Sequence, residues 1–229
     1  MRGVFVTGTD TEVGKSVVAA GLVRGVAAQG LRVAVMKPVA SGSRRTPDGL
    51  RNEDALTLMA AANIDSPYAL VNPYCFEPPI SPHIAAQEAA VAIDFDLIRR
   101  NFHALAQAAE YTVVEGAGGW LAPLGPRTFI QDLALTLELP VLLVVGIRLG
   151  CINHACLTKH AIEGCGARFA GWVANTIDPG MARPNENLET LVRLLGEPPL
   201  AVVPHLAQDS PPLELTAAAE QLFGEKAGS

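Results

Sequence analysis

The segment GVFVTGTDTEVGKS, residues 3–16, constrains the chain most. An apolar, β-branched run enters a glycine-rich turn, and the turn closes on Gly-Lys-Ser at the start of a long helical pattern. A buried strand feeding such a turn is the arrangement of a phosphate-binding loop, where backbone N–H groups and the positive end of a helix face an anion. The usual loop has four residues between its two glycines, whereas five separate Gly8 from Gly14. In this reading Gly14 lets the backbone approach the anion, Lys15 brings a mobile charge to the outer phosphates, and Ser16 offers a hydroxyl to Mg²⁺. The plainer alternative is a glycine turn that only opens a helix.

The remaining pattern says what surrounds the loop. Short, nearly continuous apolar runs at residues 4–7, 33–37, 112–115, 141–145, 170–174 and 201–203 read as strands covered on both faces. Helical stretches at 14–28, 53–61, 95–109, 129–137, 153–163 and 185–195 alternate with them. Such alternation predicts an α/β fold of the P-loop type, a parallel sheet with helices on both faces. The Pro-rich patches at 73–82, 198–199 and 211–212 read as loops. No internal repeat or Gly/Ser linker divides the chain, so residues 1–229 are expected to form one domain. With 49% apolar and 17% charged residues, it can bury a core.

Net charge argues about partners. At −6 the chain is a poor candidate for general nucleic-acid binding, though a local basic pocket for a small anion remains open. No apolar run approaches the length of a membrane span, and the first residues do not read as a signal peptide. The expected location is therefore cytoplasmic. The four cysteines, Cys75, Cys151, Cys156 and Cys165, form no C-x-x-C pair and are read as free thiols.

In an open parallel sheet, ligands bind beyond the carboxyl ends of the strands. Lys37 closes the second strand; it is one of only four lysines, and a compact ammonium there suits a transferring phosphoryl group. Glu115 ends the third strand, where nucleotide-hydrolysing enzymes carry an acid near Mg²⁺. Gly116, Gly118 and Gly119 follow it and expose backbone N–H groups. Asp54 sits in a first helical turn, where the dipole alone would favour an acid. Asn175 ends the fifth strand, where it could read a base edge or simply turn the chain.

Taken together, FVTGTDTEVGKS, KPVASGS with TPDGLRNEDAL, VNPY, SPHIAAQE, VEGAGGW, LPVLLVVG, LGCINHA and AGWVAN resemble the dethiobiotin synthetases, in that family's order and over some three quarters of the chain. The lengthened loop opening with Gly-Thr-Asp-Thr is itself a mark of the family. The resemblance implies an ATP-dependent ligase of biotin biosynthesis with Mg²⁺ as its metal. Its substrates would be 7,8-diaminopelargonate, CO₂ or bicarbonate, and ATP, and it would work as a homodimer.

The resemblance also implies residue roles. Lys37, Lys15 and Thr11 would be catalytic, with Lys15 and Lys37 offsetting charge on the γ-phosphate and the carbamate. Glu12, Val13, Gly14, Lys15, Ser16 and Val17 would cradle the nucleotide. Asp54 and the run Glu115, Gly116, Ala117 and Gly118 would border it. Asn175 and Thr176, with Pro204, His205 and Leu206, would form the adenine side. Ser16, Asp54 and Glu115 would hold the metal. Ser41 and Gly118 would hold the carbamate end of the substrate. Gly150, Cys151 and Asn153, at a helix start, would bind the substrate carboxylate across the dimer interface. Close relatives usually have Thr where Ser16 stands; both carry the hydroxyl.

Two other readings stay open from residues alone. One is an amide-forming synthetase of the cobyrinic acid kind, although no room for a glutaminase domain remains after residue 184. The other is a nucleotide-switched partition-type ATPase, although residues 9–13 contain no lysine and the C-terminal tail is not strongly basic.

Overall fold

A computed structural model describes residues 2–207 and 210–224. In chain order, β1 (Arg2–Gly8) leads through the glycine loop into α1 (Lys15–Ala28), followed by β2 (Val33–Met36). A small excursion comes next: β3 (Val39–Ala40), β4 (Arg44–Thr46), β5 (Gly49–Arg51), α2 (Glu53–Ala61), α3 (Tyr68–Val71), β6 (Tyr74–Cys75) and α4 (Pro82–Glu88). The chain then resumes its alternation with α5 (Phe95–Ala108), β7 (Tyr111–Glu115), α6 (Ile130–Thr136), β8 (Val141–Ile147), α7 (Cys151–Gly164) and β9 (Phe169–Thr176). It closes with α8 (Pro184–Leu195), β10 (Ala201–Val203) and α9 (Thr216–Phe223).

Six strands form one sheet in the order β10-β9-β8-β1-β7-β2, every neighbouring pair parallel. All seven residues of β8 and all five of β7 are buried, which is why their sequences are unbroken apolar runs without a period of two. The path explains the two helical layers. From β1 the chain crosses to the β2 edge, steps back to β7, and then passes β1 to fill the other side. Right-handed crossovers in opposite directions put helices on opposite faces. The strand order therefore reverses around β1, and the loop after β1 opens at that reversal, where α/β sheets bind ligands.

Local chemistry sets the element ends near the cleft. Asn52 caps α2, its side-chain oxygen accepting from the Ala55 N–H, and Glu53 and Asp54 stand in the first turn against the positive dipole end. Gly14, at φ 83°, stands just ahead of α1. The six expected main strands are all present, with shifts of a few residues at their ends. The excursion is where expectation falls short. The 73–82 patch, expected as a loop, contains β6, and Pro82 opens α4 at the first helical position, where its missing N–H costs nothing. α7 begins at Cys151, two residues before the expected start. Among the described residues no helix is long and apolar enough to cross a membrane.

Candidate active site

The loop between β1 and α1 wraps over its own core residue. Val13 is buried beneath it, while Thr11 and Glu12 are exposed on top. Glu12 takes a left-handed conformation at φ 59°, which lets the extra residue fold in without lengthening the strand or the helix. Gly14 has no alternative at its position: besides its positive φ, a Cβ there would run into the Asn175 amide. Asn175, buried at the end of β9, donates from Nδ2 to the Val13 carbonyl at 2.9 Å and so fixes the loop from below. On the outer side Arg148 binds Asp10 Oδ2 at 2.6 Å, and Asp10 Oδ1 accepts the Thr11 N–H at 2.8 Å. Lys15 reaches back across the loop to the Asp10 carbonyl at 2.9 Å.

Beside the loop, three strand-end and helix-start residues meet. Lys37 Nζ lies 2.6 Å from Glu115 Oε1 and 3.0 Å from Asp54 Oδ2, and 3.2 Å from the Gly116 carbonyl. Ser16 donates to the same Glu115 Oε1 at 2.8 Å. Lys37 directly follows β2, Glu115 ends β7, Asp54 stands in the first turn of α2, and Lys15 and Ser16 open α1. Burial disfavours the Lys37 ammonium, but Glu115 and Asp54 outweigh it and hold its pKa above the usual lysine value. Burial likewise opposes the Asp54 carboxylate, yet Lys37, with help from Ser16 and Lys15, keeps its pKa low. Lys15 goes the other way: desolvation first, and repulsion from Lys37 second, bring it down to about 8.

These groups line a cleft of about 410 Å³, together with Thr11, Glu12, Gly14, Val17, Ser41, Ala117 and Gly118. Such a volume suits a small ligand. The donor set fits a hard divalent cation: two carboxylates and a hydroxyl, all oxygen ligands. Glu115 supplies a specific reason, because its Oε2 is buried without a hydrogen-bond partner among the described residues. A bound Mg²⁺ would satisfy that oxygen. The loop, with Lys15 and a helix N-terminus, fits a polyphosphate.

Not every expected residue lines this cleft. Asn175 touches the loop from beneath, and Thr176 follows it at the end of β9. Pro204 and His205 are exposed and Leu206 half-buried beyond β10, the edge strand, away from the cleft lining. Gly150 and Asn153 are exposed at the start of α7, whereas Cys151 is buried, so its thiol faces the core. None of these three lines the cleft of the same chain. Asn52 and Ala40 do line it and were not singled out from sequence. Asn52 had a readable signal, an Asn directly ahead of two acids and a helical run. Arg148 had none beyond following a strand.

Residues 2–212 match a family model described as an AAA domain. The chain is 51% identical over 215 residues to the ATP-dependent dethiobiotin synthetase BioD of Pseudomonas paraeruginosa, covering 92% of this chain and 93% of that protein. It is 47% identical over 205 residues to ATP-dependent dethiobiotin synthetase BioD 1 of Escherichia coli K12, covering 90% and 91%. Among solved structures, the MinC:MinD cell division complex of Aquifex aeolicus aligns with a TM-score of 0.64 at 16% identity, over 100% of this chain and 98% of that one. A ParA family ATPase from Chlorobium tepidum aligns at 0.58 and 11% identity, over 97% and 99%. At such identities these two likenesses speak for the fold alone.

Proposed function

The chain belongs to the ATP-dependent dethiobiotin synthetase family, and from that premise we propose how its own residues carry the reaction. It is an ATP-dependent ligase that closes the ring of 7,8-diaminopelargonate with CO₂ in biotin biosynthesis, giving dethiobiotin, ADP and phosphate. One amine takes up CO₂ and loses a proton, leaving a carbamate. A carbamate oxygen attacks the γ-phosphorus, ADP leaves, and a carbamic–phosphoric anhydride results. The second amine attacks its carbonyl carbon and gives up a proton, phosphate leaves with the C–O bond electrons, and the cyclic urea closes.

The observation that carries the residue assignment is the Lys37 ammonium, buried and shared between Glu115 and Asp54 beside the phosphate loop. Phosphoryl transfer asks mainly for positioning and for charge held where it develops. Lys37 and Lys15 would flank the transferring phosphoryl group, Lys37 from the carbamate side. Thr11 would hydrogen-bond the phosphates, and the loop from Glu12 to Val17 would hold them. Ser16, Asp54 and Glu115 would hold Mg²⁺, which would screen the phosphate charge. Ser41 and Gly118, both on the cleft wall, would hold the carbamate end. The adenine would lie toward Asn175, Thr176 and the 204–206 segment.

The far carboxylate of the diamine would be held by Gly150, Cys151 and Asn153 of a second copy. Two features support that reading. These residues stand at a helix start but outside their own chain's cleft, and Leu149 and Leu157 beside them are 90% and 62% exposed. Large apolar side chains left open at one helix suit a subunit contact. We therefore propose a homodimer, built from one domain per chain and working in the cytoplasm.

The test is ADP release in Mg²⁺-ATP and bicarbonate, with and without the diamine, with the product read by mass. ADP that depends on the diamine, with the mass of dethiobiotin, is the expected result. ATP hydrolysis indifferent to the diamine would sink the reading.

A further inference from the structure

Beside and behind the cleft runs a chain of polar groups, two buried asparagines and a half-buried tyrosine, none of whose side chains is assigned to the reaction. Asn72, 3% exposed, donates from Nδ2 to the Lys37 carbonyl at 2.6 Å and to the Tyr74 carbonyl at 3.3 Å. Its Oδ1 accepts the Tyr68 hydroxyl at 2.9 Å. That hydroxyl accepts in turn the Asn52 N–H at 2.8 Å. Asn52, 5% exposed, caps α2 with its side-chain oxygen and donates from Nδ2 to the Ser41 carbonyl at 3.3 Å.

The relay thus joins the backbone of Lys37, the backbone of Ser41 and the start of α2, one residue ahead of the turn that holds Asp54. Burial raises the Tyr68 hydroxyl above its usual pKa, so it stays a neutral donor. Arg51 lies over the Tyr68 ring, 4.2 Å from its centroid, and fixes the ring plane. Further backbone bonds, Lys37 N–H to Val71 at 2.9 Å and Phe76 N–H to Ala40 at 2.8 Å, tie the same two segments together. Buried networks in which each member is satisfied hold a specific geometry, because any displacement strands a polar group.

We propose that Asn72 and Tyr68 are positioning residues, which place the Lys37 ammonium between Glu115 and Asp54 by fixing the backbone of Lys37 and α2. The proposal deepens the reaction assigned above and rests on it for its catalytic consequence, though not for its structural one. Four segments line the cleft, and the relay holds two of them, 37–41 and 52–54, while the phosphate loop and the 115–118 turn lie outside it. Losing the relay therefore moves Lys37, Ser41 and Asp54 and leaves the loop with its Asn175 and Arg148 supports.

The test uses the full chain with Tyr68→Phe and Asn72→Ser, each measured where thermal melts show it folded. The first readout is the ¹⁵N-lysine side-chain NMR signal. Only four lysines exist, so the buried Lys37 ammonium can be assigned by comparison with Lys37→Leu. The Lys37 signal is expected to shift or broaden in both variants while that of Lys159 stays put. The second readout is steady-state kinetics: kcat falls roughly ten- to hundredfold and the diamine KM rises, while the Kd of a non-hydrolysable ATP analogue holds within about twofold. A residue that merely stabilises the fold would lower the melting temperature and leave both readouts unchanged per folded molecule. An unmoved Lys37 signal overturns the proposal, as does wild-type kcat in both variants. If the wild type itself releases ADP without regard to diamine, the assigned reaction fails instead, and the NMR signal still decides the placement of Lys37.

Discussion

Lys37 Nζ sits 2.6 Å from Glu115 Oε1, with Lys37 3% exposed and Glu115 not exposed at all. A buried ion pair of this kind is worth little over an apolar pair, but half of one is costly. Replacing Lys37 by Leu is expected to remove turnover, by about 10²–10³ or more. It also leaves the Glu115 carboxylate buried without its ammonium, at a cost of about 3–5 kcal/mol. The two effects separate in the double variant Lys37→Leu/Glu115→Gln, which is expected to recover most of the melting temperature and none of the activity. A single Lys37→Leu as stable as wild type would show that the pair is not charged.

Lys15 offers a pH dependence with a definite sign. Burial, and then Lys37, lower its pKa to about 8, so the free protein loses this charge as pH rises through that value. A bound polyphosphate favours the ammonium and raises its pKa, so binding above pH 8 must take up a proton. The expected outcome is a kcat/KM for ATP that is level below about pH 8 and falls above it, up to about tenfold per pH unit. Calorimetry of nucleotide binding in two buffers of different ionisation heat should show the uptake at pH 9 and little at pH 6.5. No proton uptake at pH 9 would place the Lys15 pKa well above 8 in the free protein.

Glu115 presents one oxygen to Lys37 and Ser16 and a second, buried Oε2 with no partner among the described residues. An amide in its place neither carries the charge nor offers two equivalent oxygens to a hard cation. Glu115→Gln is expected to raise the Mg²⁺ concentration needed for half-maximal activity by about tenfold or more. A Mg²⁺ titration of activity at saturating ATP checks it. An unchanged midpoint would remove Glu115 from the metal set.

Much of this geometry was legible because strands in such a sheet announce both themselves and their ends. Unbroken apolar runs marked β1, β7 and β8, and the polar residue closing each run, Lys37 after β2 or Glu115 on β7, then falls on the ligand side without further information. The excursion from β3 to α4 was not legible. Its strands are two or three residues long, too short for any period: β4 and β5 close a hairpin of three-residue strands, and β3 pairs with β6 through backbone bonds between the 37–43 and 71–76 segments, which no local pattern encodes. Asp54 shows the limit on the site itself. A first-turn acid is explained by the helix dipole alone, and only its 3.0 Å approach to Lys37 gives it a second role. Asn52 is readable as a helix cap but not as a support of Ser41, and Asn72 and Tyr68 reach the site through the Lys37 carbonyl and the Asn52 N–H, so their types carry no signature of what they support.

The loop depends on one glycine for two reasons that can be separated. Gly14 has φ 83°, and a Cβ would run into the Asn175 amide that holds Val13. Gly14→Ala is expected to lower stability by about 1–3 kcal/mol and to abolish measurable nucleotide binding. Adding Asn175→Ala removes the clash but not the positive φ. The double variant should regain part of the melting temperature and still bind nucleotide far more weakly than wild type. Full recovery of binding would show that the clash alone required the glycine.

Leu149 and Leu157 are 90% and 62% exposed beside Gly150 and Asn153, which lie outside the cleft of their own chain. A charged residue at an apolar subunit contact costs far more than one at a free surface. Leu149→Asp/Leu157→Asp is expected to give a folded monomer in analytical ultracentrifugation. Since the phosphate loop lies within one chain, the Kd of an ATP analogue should stay within about twofold of wild type. The diamine KM should rise by about tenfold or more if, as proposed, the carboxylate is held by the helix start of a second copy. A variant that turns monomeric and keeps the wild-type KM would move the carboxylate seat into the chain's own cleft. Gly150, Cys151 and Asn153 would then need another role.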